Sequence, residues 1–512
     1  MILMCSQALL TSCNFPQPIL TISPPGSDPS TPQVRSTITP TGQSSIPSLK
    51  PSPLTSSPAA PSPTPVLRPQ ATTQYTLEAI LDYEQHSLSV NETINYVNLN
   101  ADVLNDLILI VEPNLAPGGF AIHSLTWQDG TTIDNFDLRD NQMHIPLTQP
   151  FQPGDQLELN IHYRMAIPEL GDNSIWGKPV AYGYTDMQTN LVDWYPYLPP
   201  YITGKGWLVH PVWGFGEYQV YDEANFLVTL TLATPVPGLV VAASAPAQQE
   251  SDEFTYSLQA ARTFAISAST DYVVQSKSVG DVTVTCYSFS DDTHPGQQVL
   301  DTTSSALELY SRLILPYPHP TLTVVEADFL DGMEYDGLFF LGHGFYDLYD
   351  DTPESYITFI AAHETAHQWW FGLVGNDQAL EPWLDEALST YMELVFYESV
   401  YSNLSPHTGN PLVDWWWNFR INSYAPQGWV DSSIYDFSTS RSYRDAVYLN
   451  GAKFLDEVRN RIGDKAFFAA LRAYARNHMY SIATGDDFFT VLKTYTSQDL
   501  NDLIAQYFRS GG

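Results

Sequence analysis

His363-Glu364-Thr365-Ala366-His367 sets two imidazoles four residues apart. On a helix both leave the same face and can bind one metal ion, while Glu364 can reach a water held there without being a ligand. Two histidines leave a catalytic zinc underliganded, because such sites use three protein ligands and keep one position open. Nineteen residues beyond His367 stands Glu386, within Glu381-Pro382-Trp383-Leu384-Asp385-Glu386. Its carboxylate completes a His, His, Glu set for one zinc ion per chain. Glu393, seven residues further on, either orients a ligand histidine from behind or is a solvated helix acid.

Two helices must carry these groups. Pro353 is expected in the first turn of the motif helix and Gly375-Asn376 at its end. Pro382 then opens a second helix. On it Glu386, Thr390 and Glu393 share one face, and Leu384, Leu388, Tyr391 and Val395 mark an apolar side. The segment from Gly375 to Glu381 supplies the turn that folds the second helix against the first.

Upstream, short alternating segments such as Tyr75–Tyr83, Leu107–Val111, Leu157–Tyr163, Phe226–Leu232 and Leu239–Ala243 read as strands. Turn signals at Gln128-Asp129-Gly130 and Gln152-Pro153-Gly154-Asp155 separate them. Residues 73–272 are therefore expected to form an all-β domain. From about Gln297 the apolar period changes to three and four, and a strand follows at Thr321–Val325. Residues 273–512 are expected to form a mixed domain that becomes mainly helical. Cys286, in an alternating strand pattern, reads as a buried core thiol. His343, in Gly342-His343-Gly344, reads as a loop histidine with no metal role.

The chain has 512 residues, enough for two or three domains, with 44% hydrophobic and 13% aromatic residues. Its formal net charge is -36, from 21 Lys+Arg against 57 Asp+Glu. That balance excludes nucleic acid as a partner and opposes adsorption to an anionic membrane. No apolar run is long enough to span a bilayer. Residues 14–72 are dominated by Pro, Ser and Thr and read as a disordered, extended linker. Ahead of them, Leu10-Thr11-Ser12-Cys13 looks like the lipobox that ends a bacterial lipoprotein signal, with Cys13 the lipidated residue. Residues 1–13 lack a basic start, which a start codon placed too far downstream would explain. The reading is an extracytoplasmic protein, held on a bacterial surface only through Cys13 or otherwise secreted. The alternative is a disordered terminus with a chance cysteine.

The zinc motif, its eighteen-residue interval and Glu386 within Trp383-Leu384-Asp385-Glu386 together resemble the aminopeptidase N-like gluzincins. Gln368-Trp369 and Ser389-Thr390-Tyr391-Met392-Glu393 extend the resemblance, which runs from about Gln74 to the C-terminus. It implies a sandwich- or saddle-like β domain followed by a thermolysin-like α+β catalytic domain. The implied activity is zinc-dependent peptide hydrolysis that releases N-terminal residues. Endopeptidase action on the same scaffold and a non-catalytic peptide-binding surface lipoprotein are the alternatives.

Asp331-Gly332-Met333-Glu334-Tyr335 is similar to the family's Gly-x-Met-Glu-Asn segment, with Asp331 and Tyr335 as departures. The resemblance makes Gly332, Met333 and Glu334 substrate-binding, with Glu334 holding the substrate's α-ammonium. Val447-Tyr448-Leu449-Asn450-Gly451-Ala452 looks like the context of the family's oxyanion-stabilising tyrosine. That points to Tyr448, with Tyr443 as rival. Many relatives also carry an acidic or amide residue in the β domain that touches the substrate amine, and none is identified in Val192–Pro200, where the neighbouring segment is expected. The chain ends where the family's catalytic domain ends, so the large helical C-terminal domain of many relatives is expected to be absent.

Overall fold

The computed structural model describes residues 73–171, 181–402 and 409–509. Cys13 and the segments 1–13 and 14–72 lie outside the described residues.

The alternating segments form strands because their apolar residues fall on one face. Thr73–Asp82 buries Tyr75, Leu77, Ala79 and Leu81 and pairs parallel with Ala224–Leu232 and antiparallel with Ser87–Val97. These three, with Gln156–Ala166, Phe120–Trp127, Glu253–Ala261 and Gln248–Glu250, make a seven-stranded sheet. A three-stranded sheet (Leu104–Ile110, Gln142–Phe151 and Asp137–Arg139) shares its core. A four-stranded sheet (Val240–Ala243, Ile266–Ser269, Thr189–Leu191 and Gly183–Tyr184) lies toward the rest of the chain.

Tyr272–Val279 already belongs to a different sheet, so the expected limit at 272/273 falls at the first residue of that strand. This second sheet runs in the order Tyr272–Val279, Val282–Phe289, Thr321–Ala327, Leu338–Gly342, Gly332–Tyr335. Both of its faces are buried, and the two-residue period of a strand decides which side chain goes where. Val284, Cys286, Leu322, Val324, Phe339 and Leu341 pack under the helices. Val325, Ala327, Met333, Tyr335, Leu338 and Phe340 pack with Ala242 of the four-stranded sheet and with Ala265, just before its strand Ile266–Ser269. Cys286 is thus a buried free thiol, its pKa raised by burial.

The short strand Gly332–Tyr335 is the edge of this sheet, antiparallel to Leu338–Gly342. Helix Thr293–Leu313 packs on the sheet and against the motif helix, Tyr356–His367. The motif helix does not begin at Pro353 as expected, but after Ser355, whose extended backbone precedes the first helical residue. It also stops early. Beyond His367 the chain makes a wide turn over Gln368–Leu373, and Gly375-Asn376 is a two-residue strand parallel to Ile482-Ala483.

The second helix runs Trp383–Val400 and is buried on every side from Trp383 to Tyr397. The expected division into polar and apolar faces fails because the motif helix flanks it on one side and helix Asn450–Ile462 on another. Its acids Asp385, Glu386 and Glu393 are therefore buried in the interior of the protein.

Candidate active site

The motif helix and the Trp383–Val400 helix bring three ligand-type atoms together. His363 Nε2 lies 3.0 Å from His367 Nε2 and 3.2 Å from Glu386 Oε2, and His367 Nε2 is 3.5 Å from that oxygen. Zinc bonds of about 2.0–2.1 Å in a tetrahedron put ligand atoms roughly 3.3–3.4 Å apart, so the triangle has the size a zinc ion needs. The tautomers agree. His363 Nδ1 faces Glu393 Oε1 at 3.0 Å and His367 Nδ1 faces the Trp370 carbonyl at 3.4 Å. With those nitrogens as donors, both Nε2 atoms turn lone pairs toward each other and toward a carboxylate. Such an arrangement calls for a cation at its centre.

Electrostatics point the same way. Burial lowers the His363 pKa, but the Glu386 and Glu393 carboxylates outweigh it and bring it up to about 9. Burial would raise the Glu386 pKa, yet hydrogen bonds from His363 and His367 hold it well below the usual carboxylate range.

Glu393 settles as a buried partner and not a solvated acid, being fully shielded from solvent. It accepts four N–H bonds: His363 Nδ1 at 3.0 Å, Trp416 Nε1 at 2.8 Å, and Arg420 Nε and Nη2 each at 3.0 Å. Trp416 and Arg420 reach it because four residues separate them along the helical stretch Pro411–Ile421. Arg420 also lies over the Phe359 ring, 5.0 Å from its centroid.

Glu364 is buried, and its Oε2 has no hydrogen-bond partner among the described residues. Burial pushes its carboxyl well above the ordinary range against the pull of His363 and His367. The edge strand passes directly over it. A Cβ on Gly332 would come within 2.1 Å of Glu364 Oε1, so a larger residue there would push that carboxylate out of place.

Gln368 pins that hairpin to the end of the motif helix. Its Nε2 donates to the Tyr335 carbonyl and its Oε1 accepts from Gly337 N–H, both at 3.0 Å. Asp331, where the family has glycine, takes φ +74°, a left-handed conformation that Asp tolerates better than most residues.

Along the edge strand Glu334 is buried beside Gln378, whose Nε2 lies 3.5 Å from Glu334 Oε1. Its carboxylate is near enough to act on both His367 and Glu364. Met333 requires a correction. Strand alternation turns its side chain into the core with Phe329 and Phe340, so only its main chain lies along the edge. Tyr335 packs in the same core, 5.9 Å from the Phe340 ring.

Tyr448 stands at the triangle. Its hydroxyl donates to Glu386 Oε1, and its ring lies parallel to His363 with centroids 6.0 Å apart. Tyr443 sits behind it, edge-on at 5.5 Å.

One acid escaped the sequence reading. Glu217 comes from the loop before strand Ala224–Leu232 and is buried. Its charge acts on Tyr335, Asp385, Tyr443 and Tyr448. Gly216 delivers it: φ is +63° there, and a Cβ would meet the Tyr443 hydroxyl at 2.8 Å. That glycine beside an acid was the available signal. The segment Val192–Pro200 instead supplies Trp194, Tyr195 and Tyr197 to the β-domain core. His343 also departs from expectation, since it opens the short helix His343–Asp347 and contacts three carboxylates.

Comparison with known proteins agrees with this geometry. Residues 298–507 match the peptidase family M1 domain. The chain is 27% identical over 259 residues to aminopeptidase M1-D of Oryza sativa subsp. japonica, which covers 47% of this chain and 28% of that protein. It is 30% identical over 233 residues to aminopeptidase N of Lactobacillus helveticus, covering 42% and 26%. The matched segment thus spans little more than a quarter of these relatives' length.

Among solved structures, the M1 zinc metallopeptidase from Deinococcus radiodurans superimposes with a TM-score of 0.61 at 17% identity, over 86% of this chain and 94% of that one. A mutant of it bound to a Tyr-Ser-Ala substrate superimposes at 0.59 with the same identity and coverage. The β domain followed by a mainly helical domain is therefore the two-domain fold of those structures. The converging side chains His363, His367 and Glu386 thus lie inside residues 298–507, the segment that matches the peptidase family M1 domain.

Proposed function

We propose that the protein is a zinc aminopeptidase that removes residues one at a time from the N-terminus of peptides, with one catalytic zinc per chain. The observation that carries this reading is the placement of Glu334 on an edge strand that crosses the Glu364 carboxylate. His363, His367 and Glu386 would hold the zinc, which when bound polarises a carbonyl and acidifies water.

The chain's own residues then divide the work. The free edge of Gly332–Tyr335 receives an extended peptide backbone. Glu334 pairs with the α-ammonium and sets the register, so that the first peptide bond lies against Glu364. Glu217, an acid from the β domain, adds negative charge on the same side. Glu364 takes a proton from the attacking water and later gives it to the leaving amine. The Tyr448 hydroxyl leaves Glu386 to donate to the developing oxyanion. Glu393 holds His363 in the tautomer that leaves Nε2 free.

An ammonium–carboxylate pair of this kind costs roughly 2–5 kcal/mol when one partner is removed, more than tenfold in rate. Free-amine peptides should therefore be shortened sequentially, and N-acetylation should slow cleavage at least tenfold. Glu334→Ala should lower kcat/KM for free-amine substrates and narrow that ratio. Internal cuts in an acetylated peptide, at the rate of the free one, would instead make the enzyme an endopeptidase.

The location we propose is extracytoplasmic, through a lipid on Cys13. Its support is the Leu10-Thr11-Ser12-Cys13 motif and the Pro/Ser/Thr-rich stretch after it. In a bacterial host, labelled palmitate should attach to the protein and not to its Cys13→Ala variant. Unlabelled protein in the medium would leave secretion without an anchor.

A further inference from the structure

A second set of ligand-type side chains converges where the sheet of the catalytic half ends. Glu326, next to last in the strand Thr321–Ala327, is fully buried. Its Oε2 accepts the Phe289 N–H at 2.7 Å, which pins the carboxylate and leaves Oε1 to face His343. His343 Nδ1 lies 2.7 Å from that oxygen and 3.2 Å from Asp292 Oδ2. One ligand atom from each of the three residues falls within 4.8 Å of the others.

The charges do not balance. Two carboxylates meet one imidazole, and a third, Asp347, lies 3.5 Å from His343 Nε2. Among the described residues, neither Asp292 nor Glu326 has a lysine or arginine within ion-pair distance. Burial pushes the Glu326 carboxyl up to about 8, with His343 and the Phe289 N–H pulling the other way. A buried carboxylate so poorly compensated costs stability unless it keeps a proton or gains a cation. The His343 side chain is 41% exposed, so an ion has a route in.

We propose that Asp292, Glu326 and His343 form a second divalent-cation site, separate from the His363, His367 and Glu386 triangle. An imidazole with two carboxylates suits zinc and its transition-metal neighbours, whereas calcium and magnesium favour all-oxygen shells. Three protein ligands leave the remaining position to water.

The position gives such an ion a structural role. Glu326 leads through residues 328–331 into the edge strand, and His343 follows directly on its partner, Leu338–Gly342. A cation bridging them staples the base of the hairpin that carries Glu334. Gln188 of the β domain braces the same point, donating to the Glu326 carbonyl at 3.2 Å and accepting from Asp328 N–H at 2.6 Å.

The test counts zinc. Metal-depleted full-length protein is reloaded with excess Zn²⁺, passed through gel filtration, and its zinc per chain measured. The wild type should retain two equivalents and His343→Ala one. The double variant His363→Ala/His367→Ala should also retain one, and lose it when His343→Ala is added. Asp292→Asn, a same-sized change at the half-buried end of the short helix Ser290–Asp292, repeats the measurement should His343→Ala fail to fold. One equivalent in the wild type, or a second that survives both His343→Ala and Asp292→Asn, overturns the proposal. The readout does not involve peptide cleavage, so it stands or falls apart from the proposed activity.

Discussion

Glu364→Gln should leave a folded protein that still takes up zinc and turns over at least about 100-fold more slowly. The glutamine keeps the shape of the side chain under Gly332, where any added bulk would collide with the edge strand. It also leaves His363, His367 and Glu386 untouched, since Glu364 is not a corner of the ligand triangle. Only the ability to accept a proton is lost. Removing the buried charge, if anything, stabilises the fold, because burial already disfavours the Glu364 anion. The measurement is kcat in samples matched for zinc content. Near-normal turnover in a fully loaded sample would exclude Glu364 as the base.

The second large effect is expected at Glu393. Its carboxylate is fully buried and holds His363, Trp416 and Arg420 at once. Burial opposes that charge, yet Arg420 and His363 hold its pKa below the usual carboxylate range. Glu393→Ala would strand a buried guanidinium, a loss of roughly 3–5 kcal/mol. It would also free the His363 ring to turn, and zinc affinity should fall about 10–100-fold. Denaturant unfolding of the metal-free protein reads the first quantity, and competition with a chelator reads the second. Glu393→Leu combined with Arg420→Leu should recover much of the stability but not the affinity, because His363 still lacks its acceptor. A change below about 0.5 kcal/mol in the single variant is what a surface acid gives, and it would remove Glu393 from the site.

The two predictions rest on different kinds of information. Glu364 was identifiable from the spacing of His363 and His367, because helical periodicity turns an interval of four residues into a shared face. Glu393 was not, since its place on the Trp383–Val400 helix fits a solvated acid as well as a buried one. What decided it was helix Asn450–Ile462 and the stretch Pro411–Ile421, which cover faces that an isolated amphipathic helix would expose.

The strands were legible for a similar local reason. Alternation in Tyr75–Tyr83 or Phe226–Leu232 reports one buried face whatever lies against it. Helix ends were less so. Pro353 and Gly375-Asn376 are reasonable punctuation, but Ser355 and the wide turn after His367 set the limits, and Gln368 is needed there to hold the edge hairpin.

Residue order alone therefore specified the order of a β half and a mixed, mainly helical half, and the three side chains His363, His367 and Glu386 that converge. These follow from periodicity and from intervals along single helices, which a short stretch of chain contains in full. Tertiary structure decided which acids surround that set. Glu217 arrives from the β domain, Met333 turns away from the edge, and Asp292, Glu326 and His343 meet from three separate elements. No local pattern encodes such meetings, because each depends on where distant segments pack and on which charges burial then forces together.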